Sequence, residues 1–208
     1  MLLKMTQSAL AGARLLRHGE IFMMIRKCAS LISAALLFSA ASPAHAICDE
    51  TTSLLDRACK HVTETWREGN NDLYLSLHTY HLRSAYSDEK IDSFHEDSWG
   101  LGYGRSRYDE DGNWDGLYAM SFLDSHNKPE HIVGYGHQWI WGERQGFHTG
   151  LGYTAFLTAR SDFGHYTPIP GILPIASVNY GKAAVNTTFV PGTSGNGNIL
   201  FFWSRFGF

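Results

Sequence analysis

The sequence predicts an all-β protein, an eight-stranded antiparallel transmembrane β-barrel preceded by an N-terminal amphipathic α-helix. Three observations predict this fold: abundant aromatic residues and glycine, a two-residue alternation of bulky and small side chains, and a last strand that ends in phenylalanine. Of 208 residues, 13% are aromatic and 21 are glycine, an enrichment typical of barrels and propellers. A charged fraction of 18% with 44% hydrophobic residues argues against disorder, and a formal net charge of -3 argues against a nucleic-acid-binding protein.

Residues 1–46 are predicted to be a secretory signal peptide. The basic pair Arg26-Lys27 precedes an apolar run, and residues 44–46 (Ala-His-Ala) form a small-x-small cleavage site. Met24 is a further candidate for the first residue of the protein. If translation begins there, residues 1–23 are not translated; otherwise they form a long basic n-region of the signal peptide. A signal peptide followed by a transmembrane β-barrel predicts that the protein lies in the outer membrane of a Gram-negative cell.

Residues 47–70 are predicted to form a periplasmic amphipathic helix, because apolar residues recur there at steps of three and four. Those residues are Leu55, Ala58, Cys59, Val62 and Trp66. Such a helix could lie in a membrane interface or pack on a soluble core, and the pattern leaves both open. An oxidising envelope permits Cys48 and Cys59 to pair. If residues 49–59 were all helical, however, the two cysteines would lie about 16 Å apart, so the sequence favours no bond between them.

Residues 71–208 are predicted to form the barrel, because turn residues divide them into eight strand-like runs. The runs cover approximately residues 72–86, 97–108, 114–125, 130–142, 146–160, 169–180, 182–191 and 198–208. Each run has about ten residues or more, which is the length that a tilted strand needs to cross a bilayer. Eight is also the smallest usual strand number for an outer-membrane barrel.

The second, fourth and fifth runs have one bulky face and one small face. In the second run, Trp99, Leu101 and Tyr103 alternate with glycine and serine. Since the bulky faces carry too little charge to meet water, we expect them to face lipid and the small faces to line the lumen. Inward-facing glycines either create a cavity for an apolar chain or make room for large side chains such as Tyr118 and Phe122, and the pattern leaves both open.

Candidate catalytic residues lie at one rim of the predicted barrel. The first run carries His81 near its outer end, and the third run ends at Asp124-Ser125, so the topology brings all three to the same rim. A histidine, a carboxylate and a hydroxyl are the groups that general-base acyl transfer requires, although ordinary turn and rim residues are the alternative. No histidine, cysteine or carboxylate group has zinc-motif spacing, so the remaining histidines are expected to be loop or surface residues. General-base acyl transfer of this kind implies neither a metal nor a diffusible cofactor.

Nearly the whole mature chain resembles the PagP family of outer-membrane lipid A palmitoyltransferases. The matching segments are DLYLSLHTYHLRSAY, WGLGYGRSRYDEDGNWDGLYAMSFLDSHNK, VGYGHQWIW, HTGLGYTAFLTAR, LPIASVNYG and FVPGTSGNGNILFFWSRFGF. The resemblance implies a barrel behind an amphipathic helix that moves a palmitoyl chain from the sn-1 position of a phospholipid to a hydroxyacyl chain of lipid A. The implied partners are therefore a phospholipid donor, lipid A and the bilayer, and we expect a monomer.

The resemblance also assigns roles to particular residues. It implies that His81, Asp124 and Ser125 are catalytic and that Gly136 sets acyl-chain length at the floor of an internal hydrocarbon pocket, which favours the cavity interpretation of the glycines. Family members have prolines at two lateral openings in the barrel wall. Proline is retained at 168, 170, 174 and 191 between the sixth and seventh strands. Ser76 and Ser98 replace proline between the first and second strands, and their N–H groups predict normal strand pairing there.

A non-enzymatic small barrel, acting as an adhesin or as a binding or transport protein for amphiphiles, is the alternative function. It would keep the signal peptide, the aromatic faces and Phe208. It would need neither the rim residues nor an acyl pocket.

Overall fold

Alternating strands separated by short turns close into one antiparallel barrel in a computed structural model that describes residues 54–208. A helix, α1 (Leu54–Glu68), precedes the barrel, and a single turn of 3₁₀ helix (Arg83–Ala85) and a short helix, α2 (Asp88–Asp92), lie in the loop after the first strand. The strands are β1 (Asn70–His81), β2 (Gly100–Tyr108), β3 (Trp114–Leu123), β4 (Pro129–Gly142), β5 (Phe147–Arg160), β6 (Ile169–Tyr180), β7 (Ala183–Val190) and β8 (Ile199–Gly207). The predicted fold is therefore confirmed.

The predicted signal peptide, the start near Met24, Cys48 and the first residues of the predicted helix lie outside the described residues. Cys59 is disulfide-bonded, and its partner also lies outside them, so a bond to Cys48 stays a hypothesis. From residue 54 to the end of the chain, no helix is long and apolar enough to cross a bilayer.

The predicted alternation of faces is confirmed on β4 and β5 and on the segment that runs into β2. Trp99 is 73% exposed, and Leu101, Trp139 and Leu151 are also exposed on the outer surface. Side chains one position away point into the barrel and are buried, as at Ser106, Gln138 and Thr154. The barrel therefore presents a continuous apolar outer surface.

The inward-facing glycines of β2 make room for the large side chains of β3. A Cβ added at Gly100 would lie 2.2 Å from Phe122 Cβ, and one added at Gly102 would lie 2.4 Å from Met120 Cγ. Each of these glycines is directly paired with the residue that it would strike. The packing interpretation is thus correct for β2, and the cavity described below is lined by other residues.

The interior has two halves of different polarity. At the end of the barrel nearest α1, called the helix end, Arg205 lies inside the lumen with its Nη1 3.4 Å from Asp72 Oδ1 and its Nη2 3.4 Å from Asn179 Oδ1. Its guanidinium carbon lies 4.9 Å from the ring centroid of Trp114. The opposite half, called the rim end, has an apolar core centred on Tyr74, Met120 and Phe122. Buried polar groups therefore fill the helix end, while the rim end has apolar walls.

Strand pairing is incomplete at two places in the rim half of the wall. The β1–β2 ladder stops at Ser76↔Gly100, and the β6–β7 ladder stops at Ile175↔Thr188, which leaves residues 169–174 of β6 unpaired with β7. The prediction of an interruption at the β6 prolines is confirmed. The prediction of normal pairing through Ser98 is wrong, because Ser98 precedes the first paired residue of β2.

Side-chain hydrogen bonds replace the missing ladder between β1 and the loop before β2. Ser76 Oγ donates to the carbonyl of Ser98, and the hydroxyls of Thr79 and Ser98 are bonded to each other. The backbone N–H of Thr79 also donates to the carbonyl of Glu96 over 2.7 Å. Beyond the last paired residues of the β1–β2 ladder, the serine and threonine hydroxyls therefore close the wall.

Helix α1 packs on the barrel through its polar side. Thr65 is fully buried, the Nδ1 of His61 lies 2.8 Å from Asp115 Oδ2, and Arg107 of β2 pairs with Glu64. Ala58, Val62 and Trp66 of the helix are exposed, and Trp66 is 63% exposed. This orientation matches a helix whose apolar side meets a membrane interface better than one that packs on a soluble core.

Candidate active site

An apolar cavity occupies the rim half of the barrel. Its volume is about 180 Å³. Its wall comes mainly from apolar residues on β3, β4, β5, β6 and β8, including Met120, Phe122, Ile132, Phe156, Leu173 and Phe201. At its lower end, the hydroxyl of Tyr118 lies 2.7 Å from Thr154 Oγ1, so these two residues satisfy each other as a polar floor. Such a chamber suits a hydrocarbon chain, because apolar burial is favourable and most of the lining surface is apolar, although Asp124, Glu130 and Arg160 also line it.

Asp124 and Ser125 lie at the mouth of this cavity, as predicted. The Asp124 carboxylate is buried and accepts the backbone N–H groups of His126 and Lys128 over 2.9 and 2.8 Å. These bonds hold the turn after β3 in one conformation, as aspartate commonly does in turns. The Ser125 carbonyl accepts the N–H of His95 over 2.9 Å, which ties this turn to the loop between β1 and β2.

His81 lies at the same end of the barrel, at the last position of β1, and is 2% exposed. Its Nδ1 lies 3.0 Å from Glu96 Oε1, and its backbone N–H donates to the same oxygen over 3.0 Å. The ring stacks on Phe94 with centroids 4.1 Å apart. Within the described chain, His81 is hydrogen-bonded to Glu96 and not to Asp124 or Ser125.

Glu96 is a site residue that the sequence analysis missed. Arg83 donates to both of its carboxylate oxygens, over 2.8 and 2.7 Å. These bonds from Arg83, followed by those from His81, hold the pKa of Glu96 at about 2. Glu96 therefore stays ionised at any pH at which the protein works, and it leaves the other ring nitrogen of His81, Nε2, free to accept a proton. The one sequence signal for such a partner was Arg83, a basic residue two positions after His81 that needs an acidic partner at the rim.

The three predicted catalytic residues share one rim, but His81 is not hydrogen-bonded to Asp124 or Ser125. The ring of Phe94 lies between two rim histidines, since it stacks on His81 and lies 5.6 Å from the ring of His126. Phe94 therefore packs the β1–β2 loop against the turn that carries Asp124 and Ser125.

Gly136 lies beyond the cavity floor. It pairs with Gly116 on one side and with Thr154 of the floor on the other. A Cβ added there would lie 3.1 Å from Trp114 Cζ3 and 3.3 Å from Ile175 Cδ1. These contacts are tight, so a larger side chain at position 136 must displace the Trp114 ring or extend toward the floor.

Together these features describe a class of protein: a β-barrel that can hold one hydrocarbon chain inside its wall, beneath a rim that carries a histidine, a serine and several carboxylates. The family model described as "Antimicrobial peptide resistance and lipid A acylation protein PagP" matches residues 61–205. The chain belongs to this PagP family.

Proteins named lipid A acyltransferase PagP are similar over most of the chain. The protein of Methylobacillus flagellatus is 53% identical over 193 residues, which cover 93% of this chain and 99% of the relative. The protein of Bordetella parapertussis is 50% identical over 161 residues, covering 77% of this chain and 88% of the relative. The protein of Yersinia enterocolitica is 47% identical over 161 residues, which cover 76% of this chain and 78% of the relative.

Proposed function

We propose that the protein is a lipid A acyltransferase that moves a palmitoyl chain from the sn-1 position of a phospholipid to a hydroxyacyl chain of lipid A. The observation that carries this proposal is the apolar cavity that opens directly beneath Asp124 and Ser125. A chain held there places its ester group at the rim, where a general base can act on an incoming hydroxyl. Membership of the PagP family, and relatives named lipid A acyltransferase, support the same conclusion.

We propose that the barrel works as a monomer in the outer membrane, with the rim facing outward and α1 on the periplasmic side. Two observations support this location. The outer surface is apolar over β4 and β5 and carries exposed tryptophans at 139 and 141, as a lipid-facing wall requires. Helix α1 leaves Val62 and Trp66 exposed on the side away from the barrel, where an interface would cover them.

The two breaks in strand pairing supply routes for lipid from the bilayer into the lumen. The β6–β7 break adjoins Leu173, Thr188 and Val190, which line the cavity, so we propose that the phospholipid chain enters there. The β1–β2 break lies below His81, so we propose that lipid A approaches there. Because the hydroxyls of Ser76, Thr79 and Ser98 close this second break, its opening requires those hydrogen bonds to exchange.

His81 acts as the general base in this mechanism. Its Nε2 takes the proton of the lipid A hydroxyl as the hydroxyl oxygen bonds to the ester carbonyl carbon. The sn-1 C–O bond then breaks, and the same proton passes to the leaving glycerol oxygen, which gives a lysophospholipid. Glu96 orients the ring and stabilises its cationic form, while Ser125 and the turn held by Asp124 position the ester and its developing oxyanion. No metal or diffusible cofactor takes part in these steps.

Glu96→Gln is expected to lower the turnover number about 10- to 100-fold with little change in KM, because Glu96 acts on His81 rather than on lipid. The acid limb of the pH–rate profile should also move to lower pH, since the imidazolium loses its counter-charge. The acid limb of the wild-type pH–rate profile does not arise from titration of Glu96. Because the pKa of Glu96 is depressed, its carboxylate is fully charged above the ordinary glutamate pKa and loses its charge only as the pH falls toward 2.

Glu89→Gln, in the same loop but exposed, is the matched control and should leave both rate and pH profile unchanged. Glu96→Asp should recover part of the activity, because it restores the charge. An unchanged pH profile in the Glu96→Gln variant would contradict the positioning role, even if its rate fell.

Mass spectrometry of lipid A tests the proposed function most directly. Expression of the protein in a cell that lacks such an enzyme should add one palmitoyl group to lipid A and leave a lysophospholipid. A His81→Ala variant, shown to be folded and inserted, should add none. Amphiphile binding without any change in lipid A mass would support the non-enzymatic alternative instead.

A further inference from the structure

A second cluster of polar side chains lies at the helix end, far from the rim residues, where α1 meets the barrel. His61 of α1, Asp109 of the β2–β3 turn and Asp115 of β3 each offer one nitrogen or oxygen atom, and these atoms all lie within 4.8 Å of one another. The three residues come from three separate elements, which explains why no zinc motif is visible in the sequence. We propose that they bind one divalent metal ion of the zinc class.

The chemistry of the three groups matches such an ion. Zinc favours imidazole nitrogen and carboxylate oxygen at about 2.0–2.2 Å, which places ligand atoms about 3.4 Å apart in a tetrahedral site. Side-chain rotations that move each ligand atom by about 1.5 Å or less would therefore bring the three atoms to zinc-binding distance, with water as a fourth ligand. Two carboxylates carry the charge that balances a divalent cation. Arg107 Nη2, 3.9 Å from Asp115 Oδ2, stabilises the buried charge when no ion is bound.

Asp115 already has the surroundings of a metal-binding carboxylate. It is completely buried, and its Oδ1 accepts the Tyr135 hydroxyl over 2.5 Å and lies 2.8 Å from His137 Nδ1. These two bonds fix one oxygen and leave the other, Oδ2, directed at His61 Nδ1 over 2.8 Å. Metal-binding carboxylates are commonly held by hydrogen bonds of this kind. The ion would take the place of the proton that His61 and Asp115 share.

Asp109 is partly exposed and completes the site from the turn. Its Oδ1 accepts the backbone N–H of Asn113 over 2.7 Å, so the turn holds the carboxylate in place. Because His61 belongs to α1 and both aspartates belong to the barrel, a bound ion would cross-link the helix to the barrel. Its role is therefore structural, and it is independent of the acyl-transfer proposal.

Zinc titration of the mature, tag-free protein in detergent tests this site. Calorimetry should show one high-affinity Zn²⁺ per chain, and Zn²⁺ should raise the thermal unfolding midpoint of the helical signal, whereas Mg²⁺ at the same concentration should not. Asp109→Asn should weaken Zn²⁺ binding at least tenfold, since the amide oxygen still accepts the backbone N–H of Asn113 while the charge is removed. Asp111→Asn, in the same turn but exposed, is the matched control and should bind as the wild type does.

His61→Ala provides a second variant, because it changes only the helix and leaves the strands of the barrel intact. It should also lose the high-affinity site. Equal binding by the wild type, Asp109→Asn and His61→Ala would show that zinc binds to other histidines, and this result would overturn the proposal. Absence of saturable Zn²⁺ binding to the wild type would overturn it as well.

Discussion

Replacement of His81 by alanine is expected to lower lipid A acylation by about 10²- to 10⁴-fold, the range that a lost general base typically costs. Among the rim histidines of residues 54–208, His81 is the one that is both buried and bonded to an ionised carboxylate, through Nδ1 to Glu96. Alanine removes the proton acceptor and leaves the Glu96–Arg83 ion pair in place. Barrel closure should be unaffected, because ladder bonds use the backbone of residue 81 and not its side chain.

Release of lysophospholipid from a labelled donor in detergent micelles measures this rate. His78→Ala is the matched control, since His78 lies on the same strand but its ring is partly exposed. The substitution removes a contact of 3.7 Å between His78 Nδ1 and Asp97 Oδ1. Circular dichroism, and a difference in electrophoretic mobility between heated and unheated samples, would show that each variant is folded. Full activity in a folded His81→Ala protein would reject the assignment of His81 as the base.

Replacement of Gly136 by methionine is expected to shift acyl-chain preference from sixteen carbons to a shorter chain. The new side chain meets Trp114 and Ile175 at once, so it either displaces the Trp114 ring or extends toward the floor formed by Tyr118 and Thr154, and the second course shortens the cavity. Each methylene that no longer fits loses about 0.8 kcal/mol of burial, which is roughly a fourfold loss in binding. A loss of four methylenes would therefore disfavour the sixteen-carbon chain by about two orders of magnitude.

Competition among phospholipids with acyl chains of different lengths measures this preference. Ala119→Met is the matched control, because it adds the same side chain on the outer surface of β3 and should leave the preference unchanged. If Gly136→Met still preferred sixteen carbons, the length-setting role of Gly136 would be wrong. The Tyr118–Thr154 pair, which forms the floor in the structure, would then be the position to vary.

Patterns along the chain predicted the barrel well because its strands obey a local rule. A strand places alternate residues on opposite faces, so the sequence of β4 and β5 shows directly which side meets apolar surroundings. The predicted first strand extended to residue 86, whereas β1 ends at His81, because Arg83–Ala85 turns away to begin the loop. The interruption at β6 was also predictable, since proline has no N–H to donate wherever it stands.

The partners of the rim residues were not predictable, because they depend on how loops fold over the barrel. Glu96 follows His81 by fifteen residues with no periodic relation to it, and only closure of the β1–β2 loop brings its carboxylate to the imidazole. The same limit applies to the inward glycines of β2. Alternation shows that they face the lumen, but only the register with β3 shows that Phe122 and Met120 fill the space they leave.

Sequence by itself therefore determined the number of strands, their faces and the rim to which His81, Asp124 and Ser125 belong, because strand periodicity and up-and-down topology are local properties of the chain. Only the tertiary structure decided which groups touch: Glu96 on His81, the hydroxyl bonds of Ser98 across the broken wall, and His61 beside Asp115. Those contacts join residues far apart in the chain, and their geometry follows from barrel closure and helix docking, which no local pattern encodes.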